Sequence, residues 1–401
     1  MRVLQINAVY GFRSTGVIVA DIEDMLRKNG EEPYVAFQKS NEPLRENGYI
    51  IGSKQDWKYH AFHTRVFGKQ GYASRRATSR FLKWVDTIKP DVVHLHNLHS
   101  NYINFKKLCA YLAKKDIATV ITLHDCWYFT GKCSHYVSSG CLKWMDGCGK
   151  CPQLKEKVAS LFFDRTGTVL RERTEQIMSI PNITLVGCSK WIASEAKKSR
   201  LSTVNTDVVY NGVNTSIFKP HENNFRERYG LEEMFIILGM ADKWGAQENQ
   251  EYVKRISQNC DEKTRIVIVG GNDHHKEVLS KYDNILVLGY INDRKELSDI
   301  YSSSNVFVNL THADTLPTVN MESICCGTPV ITFDACGSPE LVDEDSGFVV
   351  ADGDIETLIS KIDIIKKHGC SFDVVQKQRK FDKNVCYEKY MDIYRKMLAQ
   401  V

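Results

Sequence analysis

Residues 305–333 read NVFVNLTHADTLPTVNMESICCGTPVITF, and their order decides the fold. "NVFVNLT" is apolar on both faces, as a buried parallel strand requires. "HADTLP" breaks that run with a proline, and "TVNMESICC" predicts a helix starting near Thr318. "CGTPVITF" then turns tightly into a second strand of the same kind. Strand, loop, helix, strand is the repeating unit of a doubly wound sheet.

The same grammar runs outward in both directions. Short apolar runs stand at "RVLQIN", "EPYVAF", "DVVHLH", "ATVITLH", "ITLVGCS" and "TDVVYNG", and later at "FIILGMA", "RIVIVGG", "NILVLGY" and "GFVV". Between them the periodicity predicts helices over 17–29, 104–115, 189–199, 249–259, 293–303 and 354–367. We expect an α/β chain of two doubly wound, Rossmann-like domains facing each other across a cleft. The first spans 1–215, with a Cys-rich insertion at 126–152. The second spans 216–379, and a closing helix over 380–401 carries Tyr387, Tyr390, Ile393 and Leu398 near helical spacing. The polar stretch at 214–230 reads as the linker. Open α/β sheets bind ligands beyond the carboxyl ends of their strands, so strand ends are where site residues are expected.

A chain of 401 residues suits two such domains. Its 43% hydrophobic and 25% charged content is that of a folded protein. A net charge of +4 argues against a nucleic-acid partner. "MRVLQINAVYGF" lacks the apolar core of a signal peptide, and no run reaches the length of a membrane span. Thirteen cysteines without an export signal point to a reducing, cytoplasmic setting. One membrane role stays open, peripheral contact at the cytoplasmic face of the inner membrane. The basic amphipathic "KWIASEAKKSR" reads either as a lipid-facing surface or as a solvated helix face.

The candidate chemistry clusters after strands. The start of the helix at Thr318 offers free N–H groups to a phosphate, so Thr315, Leu316, Pro317, Thr318 and Val319 are candidates to hold a diphosphate. Glu322, one turn inside, is placed to accept hydrogen bonds from ribose hydroxyls, and Asp314 from those of a second sugar. Taken alone, the two acids read as a turn acid and a solvated helix residue. Gly11 and Gly16 in "NAVYGFRSTG" would let backbone approach a ligand, or simply build a βα turn. His124 and Asp125 end the strand of "VITLHDCW". His94, His96 and His99 in "HLHN" look like a metal cluster but lack carboxylates nearby and read as cleft lining.

From "YNGVNTSIFKP" through "LGYINDRKELSDIYSSSNVFVNLT" to "CGSPELV" and "GFVV", the chain resembles the retaining glycosyltransferases of family 4, which have the two-domain GT-B fold. The resemblance implies a donor-sugar contact at Asp314, where the family carries Glu, and a ribose contact at Glu322. It implies that "VYGFRSTG" is the first glycine loop, and that His124 faces the transferred sugar. Asp125 would then orient His124 or bind acceptor, and Tyr290 would neighbour the base. The family's two phosphate-binding bases correspond here to Asp242 and Glu248. That leaves Lys243 as the catalytic cation, with Arg13 and Arg294 as weaker candidates.

The implied reaction is retaining, metal-independent transfer of a hexose from a nucleotide-diphosphate sugar to a lipid-linked or oligosaccharide acceptor. Its implied setting is surface polysaccharide biosynthesis, of capsule or exopolysaccharide. The acids Asp242, Glu248 and Asp314 keep a second reading open, a catalytically silent scaffold of the same fold partnering an active transferase. A sugar-nucleotide epimerase and a zinc-ribbon nucleic-acid binder are more distant alternatives.

Cys133, Cys141, Cys148 and Cys151 fall in a C-x7-C-x6-C-x2-C pattern. Four thiolates suit a structural zinc that staples the insertion; unligated thiols, a redox role or an iron–sulfur role are the alternatives. A similar Cys-rich insertion occurs in the surface-polysaccharide branch of the resembled family. Cys126 reads as cleft-wall packing. Asp352–Asp354 mimics a D-x-D metal motif but precedes a helix and reads as a turn and N-cap.

Overall fold

The computed structural model describes residues 1–41, 43–156 and 159–399. The chain divides into two compact units, 1–211 with 387–401, and 212–386. The sequence reading ends the first domain at 215 and sets the final helix apart from both. In the structure the larger part of that helix belongs to the first unit.

The first unit holds a parallel sheet of β1 (Arg2–Tyr10), β2 (Glu32–Ser40), β3 (Gly48–Ile50), β4 (Val92–Leu95), β5 (Ala118–Leu123), β6 (Ile183–Gly187) and β7 (Asn205–Val208). Their spatial order is β3-β2-β1-β4-β5-β6-β7. Its helices are α1 (Arg13–Lys28), α2 (Lys54–Phe67), α3 (Arg75–Ile88), α4 (Phe105–Lys115), α5 (Thr166–Met178) and α6 (Lys190–Lys197). The second unit carries α7 (Phe225–Tyr229), α8 (Ala241–Trp244), α9 (Gln250–Asn259), α10 (Asp273–Leu279), α11 (Arg294–Ser302), α12 (Thr318–Cys325), α13 (Ile355–His368) and α14 (Val374–Phe381). Its parallel sheet is built from β8 (Phe235–Met240), β9 (Thr264–Val269), β10 (Ile285–Val287), β11 (Val306–Asn309), β12 (Val330–Phe333) and β13 (Gly347–Val350), in the order β10-β9-β8-β11-β12-β13. The last helix is α15 (Lys383–Leu398).

Both orders reverse at one place, between β1 and β4 in the first sheet and between β8 and β11 in the second. At such a switch point the connecting helices leave to opposite faces and open a crevice at the strand ends. Strands β4, β5, β11 and β12 are buried along their whole length, which is why their sequences lack alternation.

Three expectations are corrected here. The stretch read as linker contains α7, whose Phe225 is fully buried and whose Arg226 binds the carbonyls of Met234 and Ser303. It is therefore part of the second unit. Helices α2, α3 and α5 have no counterpart among the predicted helices. For α2 the reason is physical: its inward residues are His60 and Thr64, so its apolar pattern points the wrong way. Finally, the "KWIASEAKKSR" helix, α6, buries Ile192, Ala193 and Ala196 against its own unit and leaves no apolar face for lipid.

The closing helix is anchored to the first sheet by polar contacts as well as burial. Tyr394 hydrogen-bonds His94 at 2.7 Å, and Tyr390 hydrogen-bonds Thr122 at 2.7 Å. His94 also meets Thr122 at 2.7 Å, so this histidine is a satisfied core residue. Among the described residues no helix is long and apolar enough to cross a membrane.

Candidate active site

In the second unit the site residues gather where β8 and β11 part. Gly239 is the local cause. A Cβ there would stand 2.1 Å from the Trp244 indole nitrogen, so only glycine admits the ring. The buried indole then donates to the Val308 carbonyl at 3.0 Å, pinning α8 beside β11. Asn249 adds two bonds, to the carbonyls of Lys243 (2.9 Å) and Leu310 (2.8 Å). Lys243 is thereby held where its charge acts on Asp314. Asp242 and Glu248, the acids at the expected phosphate-binding positions, are both exposed.

Asp314 closes its own loop. Its carboxylate accepts the Leu316 N–H at 3.1 Å, while its carbonyl accepts the Gly337 N–H at 3.0 Å. Burial pushes the Asp314 carboxyl up to about 6, with Lys243 pulling it back and Asp242 adding to the rise. The shorter side chain, compared with Glu, thus engages loop backbone directly.

Helix α12 begins at Thr318 behind Pro317 and has no side-chain cap, so its first N–H groups are free to meet an anion. Thr315, just ahead of it, is buried, and its hydroxyl has no hydrogen-bond partner among the described residues. Leaving such a group unpaired costs about 1–3 kcal/mol, which a ligand oxygen would relieve. Asn320 ties the helix to β11 by accepting from Asn309 at 2.8 Å.

One turn inside α12 stands Glu322. Arg294 approaches it at 3.8 Å, and the Tyr301 hydroxyl donates to it at 3.3 Å. Burial pushes this carboxyl up to about 7, against the pull of Arg294 and the Tyr301 hydrogen bond. Arg294 also lies over the Phe218 ring, 5.1 Å from its centre. The Arg294–Tyr301 frame was missed as such by sequence reasoning: Arg294 was a candidate for phosphate, and Tyr301 carried no signal beyond its place on a helix. Tyr290 is exposed, on the loop after β10.

The first unit supplies a second group of residues beyond the ends of β1, β4 and β5. The side-chain amide of Gln5 donates to the Val19 carbonyl at 3.1 Å, which fixes its oxygen toward His96 Nε2 at 3.2 Å. His96 is deeply buried and held neutral, its proton affinity lowered by desolvation and by His94 and His124. With Nε2 donating to Gln5, its Nδ1 must accept, so His124 Nε2 donates to it across 2.9 Å. His124 is therefore the Nε2–H tautomer, with Nδ1 left as an acceptor. Desolvation brings its pKa down to about 4, despite Asp125 beside it, so it is uncharged at neutral pH.

Asp125 binds His99 at 2.9 Å and accepts the Trp127 N–H at 2.9 Å. Burial opposes its charge, but His99 and these hydrogen bonds win and keep the carboxyl below its ordinary range. It orients the turn after β5 and does not bond His124 directly.

Gly11 has φ +74°, and its N–H closes onto the Gly16 carbonyl at 3.0 Å. A Cβ on Gly16 would lie 3.2–3.3 Å from Val9, so glycine lets α1 start hard against β1. Around this turn lies a cavity of about 860 Å³ whose lining includes Phe12, Arg13, Lys39, Trp57, His99 and Asn101.

Cys133, Cys141, Cys148 and Cys151 line one small cavity of about 20 Å³. The Cys133 thiol donates to the Gln153 side-chain oxygen at 3.3 Å. Among the described residues no three His, Cys, Asp or Glu side chains stand in a ready metal-holding group, the histidines of "HLHN" included. Asp354 caps α13 by accepting the Thr357 N–H at 3.0 Å, and Asp352 pairs with His312 at 2.5 Å.

Two family models match the chain. Glycosyl transferases group 1 covers residues 222–385, and Glycosyltransferase Family 4 covers residues 15–217. The chain belongs to glycosyltransferase family 4. Among curated relatives, this transferase is 22% identical over 347 residues to WcaC of Escherichia coli (strain K12), covering 83% of this chain and 80% of that one. The name of that protein assigns it, provisionally, to colanic acid biosynthesis as a glycosyl transferase.

Solved structures share the fold. Sucrose-phosphate synthase from Thermosynechococcus elongatus superposes with a TM-score of 0.71 at 15% identity, covering 100% of both chains. Anabaena HepE, solved with UDP and glucose, gives 0.66 at 14% identity over 99% of this chain and 100% of that one. The fold of this transferase is accordingly GT-B, two parallel-sheet α/β domains.

Proposed function

We propose that this glycosyltransferase moves a hexose, with retention, from a nucleotide-diphosphate sugar to a lipid-linked glycan acceptor in surface polysaccharide assembly. The observation that carries the donor half is Glu322, a carboxylate only 13% exposed and framed by Arg294 and Tyr301 one turn inside an uncapped helix. The names of WcaC and of the HepE complexes support the polysaccharide setting and the nucleotide class, for those proteins directly and for this one by likeness.

In this reading Glu322 accepts the ribose hydroxyls. The start of α12 and the Thr315 hydroxyl meet the diphosphate, and Lys243 supplies the positive charge that the departing phosphate needs. Asp314 accepts hydroxyls of the transferred sugar, and neutral His124 offers its Nδ1 as an acceptor for a sugar hydroxyl. The acceptor hydroxyl attacks on the face that the leaving group vacates. Its oxygen bonds to the anomeric carbon as the carbon–phosphate oxygen bond breaks, and its proton passes to the departing phosphate oxygen. No metal takes part in these steps.

A thermal-shift panel of nucleoside diphosphates and their sugars tests the donor. A rise in melting temperature confined to one base is expected. Silence across the panel would sink the reading, and binding without transfer or hydrolysis would favour the silent scaffold.

The four-cysteine cavity extends the proposal to a structural zinc. Its size suits an ion rather than an organic ligand, since one water needs about 10–15 Å³. Cys133, Cys141, Cys148 and Cys151 line this cavity but do not yet stand as a metal-holding group, so they would have to draw together around the metal, which would cross-link an insertion otherwise poor in regular structure. Protein purified without chelator is expected to carry about one zinc per chain, and chelation to lower its melting temperature. Metal content well below half an equivalent, with melting unchanged by chelator, would remove the site.

A further inference from the structure

Helix α2 is amphipathic in the wrong sense for a soluble surface. Its buried residues are polar: His60 bonds Ser74 at 2.8 Å and receives the Gly71 N–H at 3.1 Å, and Thr64 bonds Asn101 at 2.9 Å. Its outward residues are aromatic, with Tyr59 61% exposed and Phe62 62% exposed. Tyr59, Phe62 and Val66 recur at i, i+3 and i+7, one face of a helix, flanked by Lys58 and Arg65.

A second segment enlarges this face. The Leu161 N–H bonds the Arg65 carbonyl at 2.7 Å, which fixes residues 161–163 beside the end of α2. Leu161, Phe162 and Phe163 are all exposed, Phe162 at 70%. Three consecutive exposed apolar residues beside an aromatic helix face form a patch that a freely soluble surface avoids.

Charge identifies the occupant. Residues 53–80 hold seven bases and one acid, Asp56, whereas the whole chain has a net charge of only +4. Four of those bases, Lys69, Arg75, Arg76 and Arg80, line a concavity of about 900 Å³ together with Tyr59 and His63 of α2. Aromatic side chains bordered by clustered Lys and Arg match the layered chemistry of an anionic bilayer, apolar within and negative at the headgroups. A two-fold contact between copies of this chain would set the same bases against each other, which disfavours self-association through this face.

We propose that the outward face of α2, with residues 161–163 and the adjoining basic concavity, docks this chain on an anionic bilayer surface. Docking there would bring the transferase to acceptors that carry a lipid. The inference goes beyond the donor reading, and vesicle binding needs neither donor nor turnover, so each fails separately.

The test is flotation of the full chain with vesicles of phosphatidylcholine alone, and with about one third phosphatidylglycerol. Binding to the anionic vesicles only, weakened by salt, is expected. The Phe62→Ser/Phe162→Ser and Arg75→Glu/Arg76→Glu variants should each lose about tenfold or more in partitioning. Both should keep the melting temperature and the donor-induced shift. Absence of binding to either vesicle would overturn the proposal, as would wild-type partitioning by the Phe62→Ser/Phe162→Ser variant. Dimerisation of the wild type that this variant abolishes would give the patch to a second copy instead, and overturn it too.

Discussion

Glu322→Ala is expected to weaken binding of the nucleotide-sugar donor by about 10²–10⁴-fold. Two ribose hydroxyls donating to a carboxylate contribute about 1.5–3 kcal/mol each, and the substitution also leaves Arg294 without its partner. Titration calorimetry with the responsive nucleoside diphosphate measures it; an unchanged dissociation constant would remove the ribose assignment. The same carboxyl predicts a pH dependence. Hydroxyl donors favour its ionised form, and burial has pushed its pKa up to about 7. Donor affinity should therefore rise from pH 6 to pH 8, and Glu322→Gln should flatten that rise.

The ligand-free fold moves in the opposite sense. A carboxyl whose folded pKa exceeds its unfolded value of 4.5 holds its proton more tightly when folded. Its contribution is complete below pH 4.5 and is lost as pH rises through about 7, at a cost of about 3 kcal/mol. Glu322→Gln should accordingly melt higher than wild type at pH 8, with little difference at pH 5. A donor site thus destabilises the unit that contains it until ligand arrives.

Lys243→Met is expected to lower the turnover number by about 10²–10³-fold, the usual cost of removing one preorganised group from a developing charge. Donor affinity should fall far less, because the start of α12 and Glu322 still grip the nucleotide. Lys243→Arg should recover part of the rate. Single-turnover transfer separates the two quantities. Equal activity of Lys243→Met and wild type would assign the phosphate charge elsewhere, with Arg13 and Arg294 next in line. The prediction matters because Asp242 and Glu248 stand, exposed, where the family carries bases. Removing Lys243 should also let the Asp314 carboxyl climb further, since that cation is what holds it down.

Much of this molecule is legible without coordinates. Buried parallel strands demand apolar runs on both faces, so β11 and β12 announce themselves in "NVFVNLT" and "TPVITF". The helix start at Thr318 follows from its proline, and with it the placing of Glu322 one turn inside. These are local facts, set by residues within a few positions of one another. The partnership of Glu322 with Arg294 and Tyr301 is not local, and no spacing encodes it. Nor does the sequence alone reveal that Gly239 admits Trp244 and so positions Lys243, or that Gln5 sets the tautomer of His124 through His96. The α2 face escaped for the converse reason: periodicity reports which residues are apolar, not which way they point.

The amino-acid order alone determined the doubly wound architecture and the places along the chain where chemistry collects, because backbone hydrogen bonding and side-chain alternation act over short stretches. Only the folded chain decided which charges meet, which imidazole nitrogen carries the proton, and which aromatic residues face outward. Those depend on contacts between segments distant in sequence, where burial, not proximity along the chain, sets the energies.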